Sequence, residues 1–193
     1  MCFVIAGQGG FTAIHGERIA MQRGDLILTP SWKYHDHGKD GSGPMTWVDQ
    51  LKLASFRHFP HHIRACISLG EMQEKLDAAK QTWIRQRYLT AGGQEVSKSL
   101  GTSAERLEKD QSSPAMRETL SAVYHIVSGK GYTTIDRETF QWKPGDTFCL
   151  PSWREHQHFP DSAETVYLYR RHDLPMLKAL GYYRTEGGDF EEN

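Results

Sequence analysis

The residues with the most chemical potential come in matching pairs. Residues 24–37 read GDLILTPSWKYHDH and residues 145–158 read GDTFCLPSWREHQH. Gly, Asp, Pro, Ser, Trp and both His fall in register at an offset of 121 residues, and each copy ends in a Pro-Ser-Trp turn followed by His-x-His. On a strand-like backbone, side chains two apart share a face, so His35 with His37, and His156 with His158, present paired imidazoles. An imidazole can ligate a metal or, with an ordinary pKa of about 6.5, carry a proton. His35 and His37 are candidates for either use. For each the alternative is a histidine lining a barrel or its mouth through ordinary hydrogen bonds. Asp49 in WVDQL could complete a makeshift two-His, one-carboxylate set with them. The matching place in the second half is Arg170, whose charge would repel a metal. Trp32 and Trp47 could floor an aromatic pocket, although core packing is the commoner use of such side chains. His58, His61 and His62 in RHFPHH resemble a metal tract by composition and fit equally a Pro-containing loop. Arg170, Arg171 and His172 could grip a carboxylate or simply end an exposed strand.

These pairs need elements to hold them. Upstream of each copy, GQGGFTAIHGERIAMQRGD answers to GKGYTTIDRETFQWKPGD with one residue gained or lost. An internal repeat names the architecture before any single residue names a chemistry. The first copy carries β-rich runs at Phe3–Ala6, Phe11–His15, Arg18–Met21, Asp25–Thr29 and Thr46–Lys52. The second carries them at Val123–Val127, Tyr132–Ile135, Thr139–Trp142, Thr147–Leu150 and Thr165–Arg170. Short strands at regular spacing with Gly and Pro turns indicate a sandwich or barrel. Between the copies, Ser68 and Glu71 form a capping box. Met72, Leu76, Ala79 and Trp83 follow at helical spacing, which predicts a helix over 69–87. Residues 90–114, rich in Gly, Ser, Lys and Glu, read as a loop or linker. A short final helix starts at Asp173, which can cap DLPMLKAL, and ends at Gly181. The tail EGGDFEEN reads as frayed.

The chain has 193 residues, with 23 Lys and Arg against 24 Asp and Glu. Nothing in that balance suggests a nucleic-acid partner, which would want a basic face. The three cysteines, Cys2, Cys66 and Cys149, are odd in number and far apart. That argues against a disulfide framework and fits a reducing, cytoplasmic compartment. No apolar run is long enough for a membrane span, and MCFVIAGQGG reads as a strand rather than a signal peptide.

The spacing Gly, five residues, Pro, four residues, His is filled by Gly24, Pro30 and His35 and again by Gly145, Pro151 and His156. It matches the second motif of the cupin superfamily. The stretch GERIAMQRGDLILTPSWKYHDHG with WVDQLKL resembles the first cupin of gentisate 1,2-dioxygenase and its salicylate and hydroxynaphthoate relatives. VYHIVSGKGYTTIDRETFQWKPGDTFCLPSW and DLPMLKALGYYRTE resemble the second cupin of that family. The resemblance implies an all-β bicupin of double-stranded β-helix (jelly-roll-like) barrels with an intervening helix. Its expected parts are an incomplete first barrel at 1–53, helix and linker at 54–114, and the second barrel with its short helix at 115–186. It further implies one Fe(II) held by three His in the first cupin, cleavage of a hydroxylated aromatic acid with dioxygen, and a homo-oligomer. His35 would be one iron ligand, His37 would touch substrate or move a proton, and Asp49 would orient a ligand or a hydroxyl. The chain departs from the pattern in two ways. Counting back from Gly7 places the first motif's His-x-His ahead of Met1, and Cys2 takes the place of an expected carboxylate-binding Arg. In the second half the same places fall on Met116 and Glu118. The expectation is therefore a dioxygenase-type cupin impaired by missing iron ligands. The competing expectation is a metal-free ligand-binding or scaffold cupin.

Overall fold

The computed structural model describes residues 1–29, 33–49, 66–161 and 163–187. Trp32, the tract His58, His61 and His62, and residues 188–193 of the tail lie outside them. The repeat in sequence becomes a repeat of strands. The first copy forms β1 (Cys2–Ala6), β2 (Gly10–Ile14), β3 (Glu17–Met21), β4 (Leu26–Ile27), β5 (His35–Lys39) and β6 (Thr46–Asp49). After these come β7 (Cys66–Ile67), helix α1 (Leu69–Ala78), β8 (Trp83–Arg87), β9 (Gly101–Leu107) and β10 (Arg117–Glu118). The second copy forms β11 (Ala122–Ser128), β12 (Gly131–Ile135), β13 (Glu138–Trp142), β14 (Thr147–Leu150), β15 (His156–Pro160) and β16 (Val166–His172). Helix α2 (Leu174–Ala179) and β17 (Thr185–Glu186) close the chain. All strand pairings between these elements are antiparallel.

The chain divides into two compact units, residues 1–73 with 90–92 and residues 74–89 with 93–193. In the first unit a sheet in the order β6-β1-β4-β7 accompanies a sheet in the order β3-β2-β5. Cys2, Val4, Met21 and Ile27 form its core, with Ile19, Met45 and Trp47 against them. In the second unit the sheets run β14-β11-β16-β9-β8 and β13-β12-β15, with β10-β17 beside them. Its core is larger and includes Leu107, Tyr124, Ile126, Trp142, Val166 and Leu168. The register repeats. Thr12 faces His37 and Ile14 faces His35 across β2–β5. Thr133 faces His158 and Ile135 faces His156 across β12–β15. The β2–β3 hairpin turns at His15 and Gly16, whose φ values of 51° and 84° are those a two-residue type I′ turn requires.

Several sequence expectations need correction. Ser68 does start a helix: its Oγ accepts the Glu71 N–H at 3.3 Å. The helix ends at Ala78, however, and Trp83 belongs to β8, where pairing with β9 overrides the helical spacing. The linker expected over 90–114 contains β9, buried at every position except Arg106. Its buried side chains include Thr102, Ser103 and Glu105, so no apolar pattern announced it. Asp173 stands at the start of α2 but makes no cap bond. Its Oδ1 instead accepts the Ser121 N–H at 2.9 Å. Arg170 and Arg171 are not an exposed strand end. Both are buried in β16, which is flanked by β11 and β9.

Candidate functional site

Strands β5 and β6 position the first-half candidates. His35 is exposed on β5, its Nδ1 3.4 Å from the Lys33 carbonyl oxygen. His37 is half-buried on the same strand, its Nδ1 3.0 Å from Thr12 Oγ1. The two rings lie 5.4 Å apart at 80°. On β6 the half-buried Trp47 packs 5.2 Å from the His37 ring, tilted by 37°. The Trp47 indole N–H donates to Asp49 Oδ2 at 3.1 Å. The site therefore assembles as an imidazole–indole wall, with His35 at one side and a carboxylate fixing the indole. The exposed Asp49 makes this bond to the indole and none to an imidazole among the described residues.

The fit to iron follows from the donor set. Ferrous iron prefers several imidazole or carboxylate ligands converging on one point. Among the described residues, no three His, Cys, Asp or Glu side chains are placed to hold a metal ion. His35, His37 and Asp49 are neighbours without forming a chelate, so the described residues do not fit the iron centre that the resemblance implies.

The second unit holds a constellation that sequence reasoning missed. Arg85 on β8, Glu105 on β9, Glu118 on β10 and Arg170 on β16 meet in the interior with side chains at most 1% exposed. Arg85 Nε donates to Glu105 Oε1 at 2.9 Å, and Arg85 Nη1 to Glu118 Oε2 at 3.3 Å. Arg170 Nη2 donates to that same Glu118 oxygen at 2.6 Å. Trp83 Nε1–H and the Tyr124 hydroxyl donate to Glu105 at 3.0 and 3.1 Å, and the Tyr183 hydroxyl donates to Glu118 at 2.9 Å. Two cations and two carboxylates balance, and further hydrogen bonds offset their desolvation. Burial alone would raise the Glu105 carboxyl, but Arg85, with His158 and Arg170 beyond it, brings its pKa down to about 2. Glu118 is likewise lowered: burial opposes the shift, and Arg170 and Arg85 outweigh it.

His156 and His158 lie beside this quartet, their rings 5.6 Å apart. Burial, reinforced by Arg85 and Arg170, lowers His156 to about 4. Burial lowers His158 to about 3, although Glu105 pulls the other way. His158 Nε2 is 4.0 Å from Glu105 Oε2, beyond hydrogen-bond reach. With a neutral ring this is no ion pair. The Nε2 atoms of both rings are buried without a hydrogen-bond partner. Met116 Sδ lies 3.4 Å from Arg85 Nη2. The two positions that a metal-binding barrel would give to ligands, Met116 and Glu118, both face guanidinium groups here. Arg170 carried a faint signal, as a cation opposite Asp49 in the repeat. Arg85 and Glu105 carried none, lying in segments that read as helix and linker.

Comparison with known proteins agrees with this architecture. The model of the cupin domain matches residues 1–51 and 104–169. A 5-aminosalicylate 1,2-dioxygenase from Comamonas sp. is 27% identical, the alignment covering 95% of this chain and 62% of that protein. Gentisate 1,2-dioxygenase 1 from Aquipseudomonas alcaligenes is 26% identical, over 94% of this chain and 65% of that protein. The chain thus spans under two thirds of the length of these relatives. A crystal structure of salicylate 1,2-dioxygenase from Pseudoaminobacter salicylatoxidans in complex with gentisate superposes with a TM-score of 0.83 at 22% identity, covering 98% of this chain and 67% of that one. Repeat, strand order and domain model agree: the chain belongs to the cupin family, as a bicupin similar to the gentisate-type ring-cleaving dioxygenases.

Proposed function

We propose that this chain binds a small hydroxylated aromatic acid at the wall formed by His37 and Trp47, and that it does not cleave the aromatic ring by itself. The names of its relatives supply the ligand class. One observation carries the division between binding and cleavage: the aromatic wall is assembled, whereas no three metal-ligating side chains converge among the described residues. Ring attack would need iron to polarise dioxygen and the phenolic oxygen; the chain's own residues supply the binding. Trp47 and His37 stack against the ring, and Asp49 holds the indole in plane through its N–H. His35 sits beside His37 as the candidate ligand of the motif. In this role the chain acts as a homo-oligomer in the cytoplasm. Among the described residues no helix is long and apolar enough to cross a membrane.

The test pairs calorimetry with oxygen uptake. Salicylate should bind the purified chain, and Trp47→Ala should weaken binding roughly tenfold, the worth of one aromatic contact. After anaerobic loading with ferrous iron, gentisate should produce no oxygen uptake. Absence of salicylate binding would refute the binding half. Stoichiometric iron with gentisate-dependent oxygen uptake would refute the other.

A further inference from the structure

The two units hold their second histidine alike but for one side chain. Thr12 Oγ1 lies 3.0 Å from His37 Nδ1, and Thr133 Oγ1 lies 2.8 Å from His158 Nδ1. A threonine hydroxyl has one proton to give. Thr12 and Thr133 are both 0% exposed, so bulk water does not take it. In the first unit the hydroxyl's other neighbour is Met21 Sδ at 3.4 Å, a thioether that can only accept. In the second unit the matching position is Trp142, whose Nε1–H donates to Thr133 Oγ1 at 2.9 Å. An indole can only donate.

That exchange of an acceptor for a donor reverses the relay. With Trp142 donating, the Thr133 proton has one acceptor, Nδ1 of His158. The His158 proton then sits on Nε2, 4.0 Å from a carboxylate oxygen of Glu105, too long for a hydrogen bond but a negative charge that favours an N–H over a lone pair at that place. The edge contact with the Tyr124 ring, 4.8 Å between centroids, also suits an N–H. With Met21 accepting, the Thr12 proton turns to sulfur and its oxygen takes a proton from His37 Nδ1. Both donors are then bonded in one chain. The opposite arrangement would turn the Thr12 proton to His37 Nδ1 and leave the Met21 sulfur without its donor.

We propose that Thr12 and Met21 are positioning residues that hold His37 in its Nδ1–H form, so that Nε2 offers a lone pair at the aromatic wall, while Thr133 and Trp142 hold His158 in the opposite form. Resting on the binding function proposed above, this also selects the ligand. Nε2 of His37 accepts a hydrogen bond from a phenolic O–H or an aryl N–H and gives nothing to a carboxylate. An aromatic acid carrying such a donor is preferred over one without it.

Long-range nitrogen–proton NMR of the labelled full chain at pH 8, assigned with His37→Gln and His158→Gln, reads the tautomers directly. His37 should show a pyridine-type Nε2 and His158 a pyridine-type Nδ1. Met21→Leu conserves core volume and removes the sulfur acceptor. It should move His37 toward the Nε2–H form and weaken salicylate roughly fivefold, the worth of one hydrogen bond, while benzoate affinity stays constant. The same tautomer at both histidines of the parent chain would overturn the assignment. A shifted tautomer with unchanged salicylate affinity would overturn the ligand preference. If neither acid binds, the proposed binding function fails, while the parent spectrum still decides the tautomers.

Discussion

Acid should unfold the second unit well above the range in which its own carboxylates titrate. His156 and His158 have folded pKa values of about 4 and about 3, set first by burial, with Arg85 and Arg170 adding to it at His156, and with His156 adding to it against the pull of Glu105 at His158. Unfolded, each returns to about 6.5. Because the folded values are depressed, both rings are neutral in either state above pH 6.5 and cost nothing there. As pH falls below 6.5 the unfolded chain takes up two protons that the folded chain refuses, and stability drops by about 1.4 kcal/mol per ring per pH unit. Between pH 6.5 and 4.5 the pair removes about 5 kcal/mol, the whole stability of many domains. His172 is also lowered by burial and then by Arg170, so it steepens the slope. Glu105 and Glu118 act later. Their folded values are lowered, so their stabilisation is present above the unfolded carboxylate pKa and disappears only as pH falls below it. The assay is urea unfolding followed by tryptophan fluorescence in half-unit steps from pH 8 to 4.5. The expected outcome is a plateau to about pH 6.5, then a fall of at least two protons' slope with a constant m-value. The double variant His156→Gln/His158→Gln should lose most of that slope. A flat profile from 6.5 to 4.5, or an undiminished slope in the double variant, would refute the reasoning.

Three further outcomes follow from the packing. Arg170→Met leaves Glu118 facing Arg85 alone in the interior and should destabilise the second unit by about 3–5 kcal/mol in the same urea assay. Adding Glu118→Met to it should restore part of that loss, giving a non-zero coupling in the double-mutant cycle. Gly131→Ala would place a Cβ 2.2 Å from the Phe159 carbonyl oxygen and 2.4 Å from the Trp142 ring. Neither neighbour is the end of a flexible side chain, so thermal unfolding should show a loss of about 1–3 kcal/mol. Asp49→Asn keeps an acceptor for the Trp47 N–H but removes its charge. Salicylate affinity measured by calorimetry should change less than threefold, whereas Asp49→Ala should cost more, about one hydrogen bond.

Most strands of the two repeats were legible because their alternation and their Gly-bounded turns are local signals. His35 to His37 and His156 to His158 were legible as pairs because spacing by two survives any detail of the barrel. The strands β8 and β9 were not. Trp83 stands at a helical interval from Ala79, and GTSAERL carries small and polar residues on its buried face. β9 pairs with β16, more than fifty residues later, and β8 pairs in turn with β9, so no local window contains the partner that fixes both. The buried quartet was hidden for the same reason. Arg85, Glu105 and Glu118 look like solvated charges until β16 brings Arg170 among them. At the first-half site the sequence offered His37 for substrate contact and Trp32 with Trp47 as a pocket floor, and it did not pair His37 with Trp47. It did not suggest that Asp49 would bond the indole. That bond depends on two side chains of one strand reaching along the same face.

The quartet also constrains how this barrel can evolve. Each of its four charges is balanced by the others, so a change at any one position strands a partner in the interior. A simultaneous exchange of all four for well-packed apolar residues can be neutral or better. The intermediates between these two states are the unstable ones. A lineage carrying Arg85, Glu105, Glu118 and Arg170 therefore sits in a local optimum that single substitutions do not leave. His156 and His158, which depend on the same enclosure for their neutral state, are held with it. Innovation in this molecule has an easier route through β5 and β6, where the side chains proposed to meet a ligand are exposed or half-buried and can change one at a time.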